Sequence, residues 1–245
     1  FFGPTSVFAS RAAILNNHAN GDGGGIAIDG LFQGTMGLIR GDVVWQSESG
    51  PSDFWDNSAD GSGGAIAVGF FSSLDLFRLA ANTTRARFER NTAGASGGAI
   101  SMKSHTPTSF LSTLSLEDAL LIDNTAAQGG AIGTSGGQSL IVGVEFQENS
   151  AQAGGAVMFD ATDASWSNEI RQSSFNTNSA SVRGGAIASV CQPLLVRDSS
   201  LWGNAGPSGS AVHAAGQTAL TNVTSANPGT PVMMKGYHSA CGNQP

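Results

Sequence analysis

Large apolar residues, asparagines and glycine pairs recur along this chain in one fixed order. In the stretch from Phe175 to Ile187, an Asn (Asn178) follows the large apolar residue by three positions and an Ala (Ala180) by five. Gly184-Gly185-Ala186-Ile187 then closes the unit. The same order appears as Phe54, Asn57, Ala59 and Gly63 to Ile66, and as Phe88, Asn91, Ala93 and Gly97 to Ile100. It returns as Leu121, Asn124, Ala126 and Gly129 to Ile132, and as Phe146, Asn149, Ala151 and Gly154 to Val157. Weaker copies flank these: Ile14, Asn17, Ala19 with Gly24-Gly25-Ile26, and Leu201, Asn204 with Gly209-Ser210-Ala211-Val212. Val223 through Gly229-Thr230-Pro231-Val232 reads as a degenerate eighth copy.

Each part of the unit predicts a local structure. After the Gly pairs, apolar residues alternate (Ile26/Ile28, Ile66/Val68, Ile100/Met102, Val157/Phe159), the period of a strand with one face buried. The Gly pair supplies a bend that needs positive φ and has no room for a Cβ. The Asn belongs at a corner, where it tolerates left-handed backbone and bonds nearby main chain. Stacked copies of such amides can bond from rung to rung. The large apolar residue fills the interior and the Ala leaves it room, so Ala151→Leu is expected to overpack at a cost of ~1–3 kcal/mol.

Spacing selects the architecture. The Gly pairs begin at 24, 63, 97, 129, 154, 184 and 209, so the steps run from 39 down to 25 residues. The shortest fits one turn of a three-sided coil, whereas helical repeats of about 34 residues need a sustained 3.6 period that is missing here. Propeller blades of about 40–45 residues do not fit the shortest steps. The expected fold is all-β, a right-handed parallel β-helix (β-solenoid) of about seven to eight coils with inserted loops. One domain is expected over residues 1–245, with repeats over about 14–232. Residues 1–13 read as an N-terminal strand or the continuation of an upstream chain, and 233–245 as a C-terminal tail or cap.

Composition narrows the function. Only 12% of residues are charged and the net charge is −7, which disfavours a nucleic-acid partner. No apolar run approaches the ~20 residues of a membrane span. The stretches between one Gly-Gly-Ala-Ile and the next large apolar residue shorten from 28 to 14 residues, so insertions gather at one junction and towards the N-terminal half. Loops inserted at one junction of a solenoid lie on one side, often the binding side. Trp45, Phe70, Phe71 and His105 are the candidate binding-loop residues, against plain loop drift.

Other residues bear on chemistry. Cys191 and Cys241 are a candidate disulfide or two free thiols, and too few for a zinc site. Asn82-Thr83-Thr84 and Asn222-Val223-Thr224 are candidate N-glycosylation sequons or chance matches. Asp56, Arg90, Asp123, Glu148 and Thr177 each precede a motif Asn and read as an exterior, solvated ladder. Trp55 and Trp202 follow the large apolar residue and should face outward, towards sugar rings, another element or a covering loop. Polysaccharide-cleaving β-helices cluster carboxylates, often with calcium, beside an Arg or Lys base. No such cluster emerges, and His18, His105, His213 and His238 fall at unrelated repeat positions. No catalytic residue, metal site or cofactor is expected.

Paired F-x-x-N and G-G-A-[ILV] resembles the repeat of the chlamydial polymorphic outer membrane proteins. Phe54/Asn57, Phe88/Asn91, Phe146/Asn149 and Phe175/Asn178 carry it with their Gly pairs, whereas Ile14, Leu121 and Leu201 replace the Phe elsewhere. The resemblance implies an autotransporter-passenger-like β-helix acting as an adhesin at a cell surface. The expected function is a non-catalytic extracellular structural and adhesive module; the alternative is a polysaccharide-binding or polysaccharide-cleaving β-helix. Expected partners are other protein segments or chains at the N-terminal end of the solenoid, and a cell-surface protein or glycan.

Overall fold

The computed structural model describes residues 5–9, 13–28, 31–32, 38–39, 41–47, 53–69, 72–78, 85–104, 112–160, 167–227 and 232–235. Its strands form a parallel β-helix. Three main strand faces alternate along the chain, with a short fourth stack (His18–Ala19, Ser58–Ala59, Thr92–Ala93, Ser150–Ala153 and Ser179–Arg183) between the first and second, and each pairs in parallel with its counterpart one coil away.

The face carrying the large apolar residues runs from Ala13–Leu15 through Asp53–Trp55, Ala86–Glu89, Ala119–Ile122, Glu145–Gln147 and Ser174–Asn176. It ends in the second halves of Leu194–Trp202 and Thr218–Ala226. Register holds Ile14, Phe54, Phe88, Leu121, Phe146, Phe175 and Leu201 in one inward column. Phe54 stacks on Phe88 and Phe146 on Phe175, each with ring centroids 4.5 Å apart. Rings at that spacing add ~0.5–1.5 kcal/mol to the gain from burial alone.

A second face begins at each Gly-Gly-Ala-Ile and has eight strands, from Ile26–Ile28 to Val232–Lys235. Val212 pairs with Val232, which places Val232–Lys235 in the register of an eighth copy. Ile66, Ile100, Ile132, Val157 and Ile187 point into the core. The alternate positions, expected to face solvent, are buried as well: Ala67, Ser101, Met158, Ala188 and His213. The preceding segment folds back over them. A Cβ on Gly133 would lie 2.0 Å from Ser96 Oγ, and Ala153 packs with Met158 and Ala188 in a small cluster of its own. Most residues in this column are therefore small.

The third face corrects the loop assignment. Most of the stretches read as insertions contain a strand: Gly41–Ser47, Ser72–Arg78, Thr113–Glu117, Gln138–Val142, Asn168–Arg171 and the first halves of Leu194–Trp202 and Thr218–Ala226. Thr5–Ala9 pairs beyond Gly41–Ser47 and starts this face. Trp45 thus sits in a strand and not in a binding loop. In the last two coils the third and first faces merge into single nine-residue strands, with Asp198 and Asn222 at positive φ where the bend lies.

The two glycines of each pair do different work. The first has positive φ (between 61° and 74° at Gly23, Gly63, Gly97, Gly129, Gly154, Gly184 and Gly209) and makes the turn; in the first coil the pair is Gly23-Gly24 and not Gly24-Gly25, with Gly25 at the Ala position. The second lies against backbone of the next coil. A Cβ on Gly130 would sit 2.1 Å from Gly155 O and 2.6 Å from Ser150 O, so no side chain fits.

Candidate functional surface

The repeated asparagines form one buried ladder. Each donates both its backbone amide and its side-chain Nδ2 to Oδ1 of the Asn in the next coil. The chain of bonds runs Asn17 to Asn57 to Asn91 to Asn124 to Asn149 to Asn178 to Asn204, with Nδ2–Oδ1 distances of 2.9–3.0 Å. From Asn57 onward, Nδ2 also donates to the carbonyl of the large apolar residue one coil back, as Asn124 does to Phe88 O at 3.0 Å. Asn57 through Asn204 are fully buried, and the network satisfies every Nδ2 proton and gives every Oδ1 two donors.

Two points differ from expectation. Positive φ belongs to the residue before the Asn: Asn16, Asp56, Arg90, Asp123, Glu148, Thr177 and Gly203. That residue turns the corner and leaves the Asn free to point inward. The ladder also has an eighth member, Asn227, which accepts from Asn204 N at 2.7 Å and Nδ2 at 3.1 Å. It was hidden because its copy is one residue short: Ser225 aligns with Leu201 and only Ala226 separates it from Asn227.

The Ala after the Asn does not belong to the core. Ala59, Ala93, Ala126 and Ala180 are buried but lie outside the main hydrophobic cluster, and Ala151 is partly exposed. Ala93, Ala126, Ala151 and Ala180 instead line a shallow groove with Thr125, Ser150 and Ser179. Ala151→Leu therefore projects into this groove and does not overpack the interior.

The corner residues carry the charge. Arg90 grips Asp56 in the coil below with two bonds, Nε–Oδ1 at 2.8 Å and Nη2–Oδ2 at 3.0 Å. These bonds hold the Asp56 carboxyl below its usual range, with slight burial opposing them, and raise the Arg90 guanidinium. Glu89 forms ion pairs with Arg87 and Arg90, and Arg87 lies 5.2 Å from the centre of the Trp55 ring. Lys103 pairs with Asp22 at 2.5 Å. Burial pushes Asp22 up, but the Lys103 hydrogen bond, the Ser62 amide and the Lys103 charge outweigh it and leave the group lowered. Asp53 and Asp160 are raised, each chiefly by burial, and they lie on different faces.

A polar cleft of about 390 Å³ opens at the bend between the third and first faces. Its wall includes Arg85, Glu145, Gln172, Asp198, Asn222 and Thr224. Arg85 and Glu145 pair at 3.2 Å, and Asn222 Nδ2 donates to Asp198 Oδ1 at 2.8 Å. Trp202 lies two residues beyond the cleft residue Ser200 on the same strand and is half exposed (50%). Trp55, its counterpart in the second coil, is only partly exposed and has its Nε1 buried with no hydrogen-bond partner among the described residues.

The remaining candidates fall as follows. Cys191 is disulfide-bonded and buried. Asn222 is exposed at a positive-φ corner. Phe70, Phe71, Asn82, His105 and Cys241 lie outside the described residues. His18 contacts Ser58 Oγ at 2.9 Å, and buried His213 contacts Ser208 Oγ at 3.0 Å. Among the described residues, no three His, Cys, Asp or Glu side chains group to hold a metal ion, and no helix is long and apolar enough to cross a membrane. No protein-family model, curated protein or solved structure matches this chain.

Proposed function

We propose that the chain is a non-catalytic structural and adhesive β-helix module of an extracellular or cell-surface protein. One observation carries this reading: the repeated side chains face inward. The Asn ladder and the aromatic column are buried, and the glycines serve backbone contacts. What remains outside in the described coils is mainly hydroxyls, carboxamides and charges, several of them paired to one another, with Leu15, Val182 and Trp202 as the exposed large apolar side chains. The resemblance to the outer membrane protein repeat supports the cell-surface location. A direct test incubates the protein with acidic and neutral polysaccharides and follows new reducing ends and unsaturated products. No turnover is expected, together with saturable binding to cell surfaces; product released in proportion to protein overturns the reading.

A glycan as the adhesive ligand is favoured by Trp202 beside the polar cleft, because an exposed indole stacks on sugar rings while amides and carboxylates bond their hydroxyls. Trp202→Ala should weaken cell-surface binding at least several-fold without altering the fold. Equal binding by wild type and variant removes the cleft from the account.

A further inference from the structure

The Asn ladder has a direction, and its two ends are left with opposite needs. At every internal junction the amide and Nδ2 of one Asn donate towards the C-terminal coil. The Nδ2 of the next Asn returns one bond to the carbonyl of the large apolar position, as Asn149 does to Leu121 O at 2.9 Å. At the N-terminal end, Asn17 Oδ1 receives no donor and one Nδ2 proton has no acceptor among the described residues. At the C-terminal end, Asn227 returns its bond to Leu201 O, while its amide and second Nδ2 proton have no acceptor among the described residues. Ser225, at the large apolar position, receives no Asn amide from the described residues.

The strand edges repeat this arrangement. Among the described residues, Thr5–Ala9, Ala13–Leu15 and Ile26–Ile28 pair on one side only, as do Thr218–Ala226 and Val232–Lys235 at the far end. Each end shows apolar side chains that are only partly covered: Ile14 and Ile26 at one, Leu220 and Val223 at the other.

We propose that the C-terminal edge of one copy receives the N-terminal edge of a second copy of this chain. Asn227 then donates its amide and Nδ2 to Asn17 Oδ1 of the second copy. Asn17 Nδ2 returns the bond to Ser225 O, and the three faces continue in parallel across the joint. Two like ends cannot do this, because they reverse the strand sense and so cannot continue the parallel faces or the one-way ladder. The contact is therefore head to tail, and it grows open-ended rows.

Charged caps test the direction. Ser225→Lys places a cation on the C-terminal edge, and Ile14→Lys places one on the N-terminal edge; edge lysines block strand addition. Mass is measured by light scattering across concentration, and far-UV circular dichroism checks that each variant keeps the wild-type strand content. Ala13→Lys, at an exposed position, takes the place of Ile14→Lys if that variant loses its strand signal. Wild type should grow in mass with concentration, each variant alone should stay monomeric, and an equimolar mixture should give a dimer and nothing larger. A wild type that stays monomeric up to millimolar concentration overturns the proposal. So does a single variant that dimerises by itself, or a mixture that stays monomeric while wild type associates.

Discussion

The first coil and the central coils carry the same repeated unit in different surroundings. In the centre, Phe88, Asn124 and Ile132 are fully buried, with a coil on either side. In the first coil, Ile14 and Ile26 are only partly covered, Asn17 is exposed, and Leu15 keeps 40% of its surface in solvent. The unit is therefore not a self-sufficient fold. Its residues become a core only when sandwiched, as expected of a solenoid whose coils contact only their neighbours.

The sharpest way to break the comparison is at the second glycine. Gly130→Ala should destabilise by more than about 4 kcal/mol or prevent folding, because the new Cβ meets backbone on two sides and neither can yield. Gly21→Ala, a first-coil glycine outside the pair with nothing within 4 Å of its Cβ, should stay within about 0.5 kcal/mol. Urea titrations of both, beside the soluble yield, decide this; equal effects would show that the tight approach is not needed.

The ladder comes next. Asn124→Ala strands the Asn91 amide and Nδ2 in the interior and removes the donor to Phe88 O and Asn149 Oδ1. Leaving such groups unpaired should cost about 3–4 kcal/mol in the denaturation midpoint analysis. Asn17→Ala, which removes one end of the ladder in water, should cost about 0.5–1 kcal/mol. Comparable losses at both sites would mean that the first coil is as enclosed as the rest.

Acid titration sharpens the picture at the surface. Asp22 and Asp56 are lowered in the folded state, so their contribution is present above the unfolded carboxylate range and is lost as pH falls through their folded values. Asp160 is raised, so it favours folding when protonated and its contribution declines as pH rises from the unfolded value of 3.8 to its folded one. Thermal melts from pH 3 to 7 should show Asp160→Asn more stable than wild type near pH 7, and Asp56→Asn with a weaker loss of stability on acidification. Salt should shrink the Asp56 effect, since Arg90 and Asp56 are exposed.

The repeat made the fold and most of the ladder legible, because both rest on residues that recur in one order. What stayed hidden lacked that recurrence. The third face alternates without a fixed residue, as Thr113–Glu117 and Asn168–Arg171 show, and so no recurring motif marks it as a strand. Asn227 escaped because its copy omits the corner residue. The role of the Ala after the Asn could not be read either, since small residues suit a core and a groove equally well. Burial on both sides of Ile132–Ser135 depends on Ser96 and Gln128 folding over it, a contact no local pattern announces. The cleft beside Trp202 joins residues from five coils, among them Arg85, Glu145 and Asn222, and no motif links them.

The varying length of the coils makes the molecule an uneven wire wound on an even ruler. From 40 residues between Asn17 and Asn57 to 23 between Asn204 and Asn227, each turn advances the ladder by the same single rung. At ~4.8 Å per rung, seven steps give an axis of roughly 34 Å. Residues added between rungs widen the object without lengthening it. New matter can thus be hung on any coil while the graduation from one Asn to the next stays untouched.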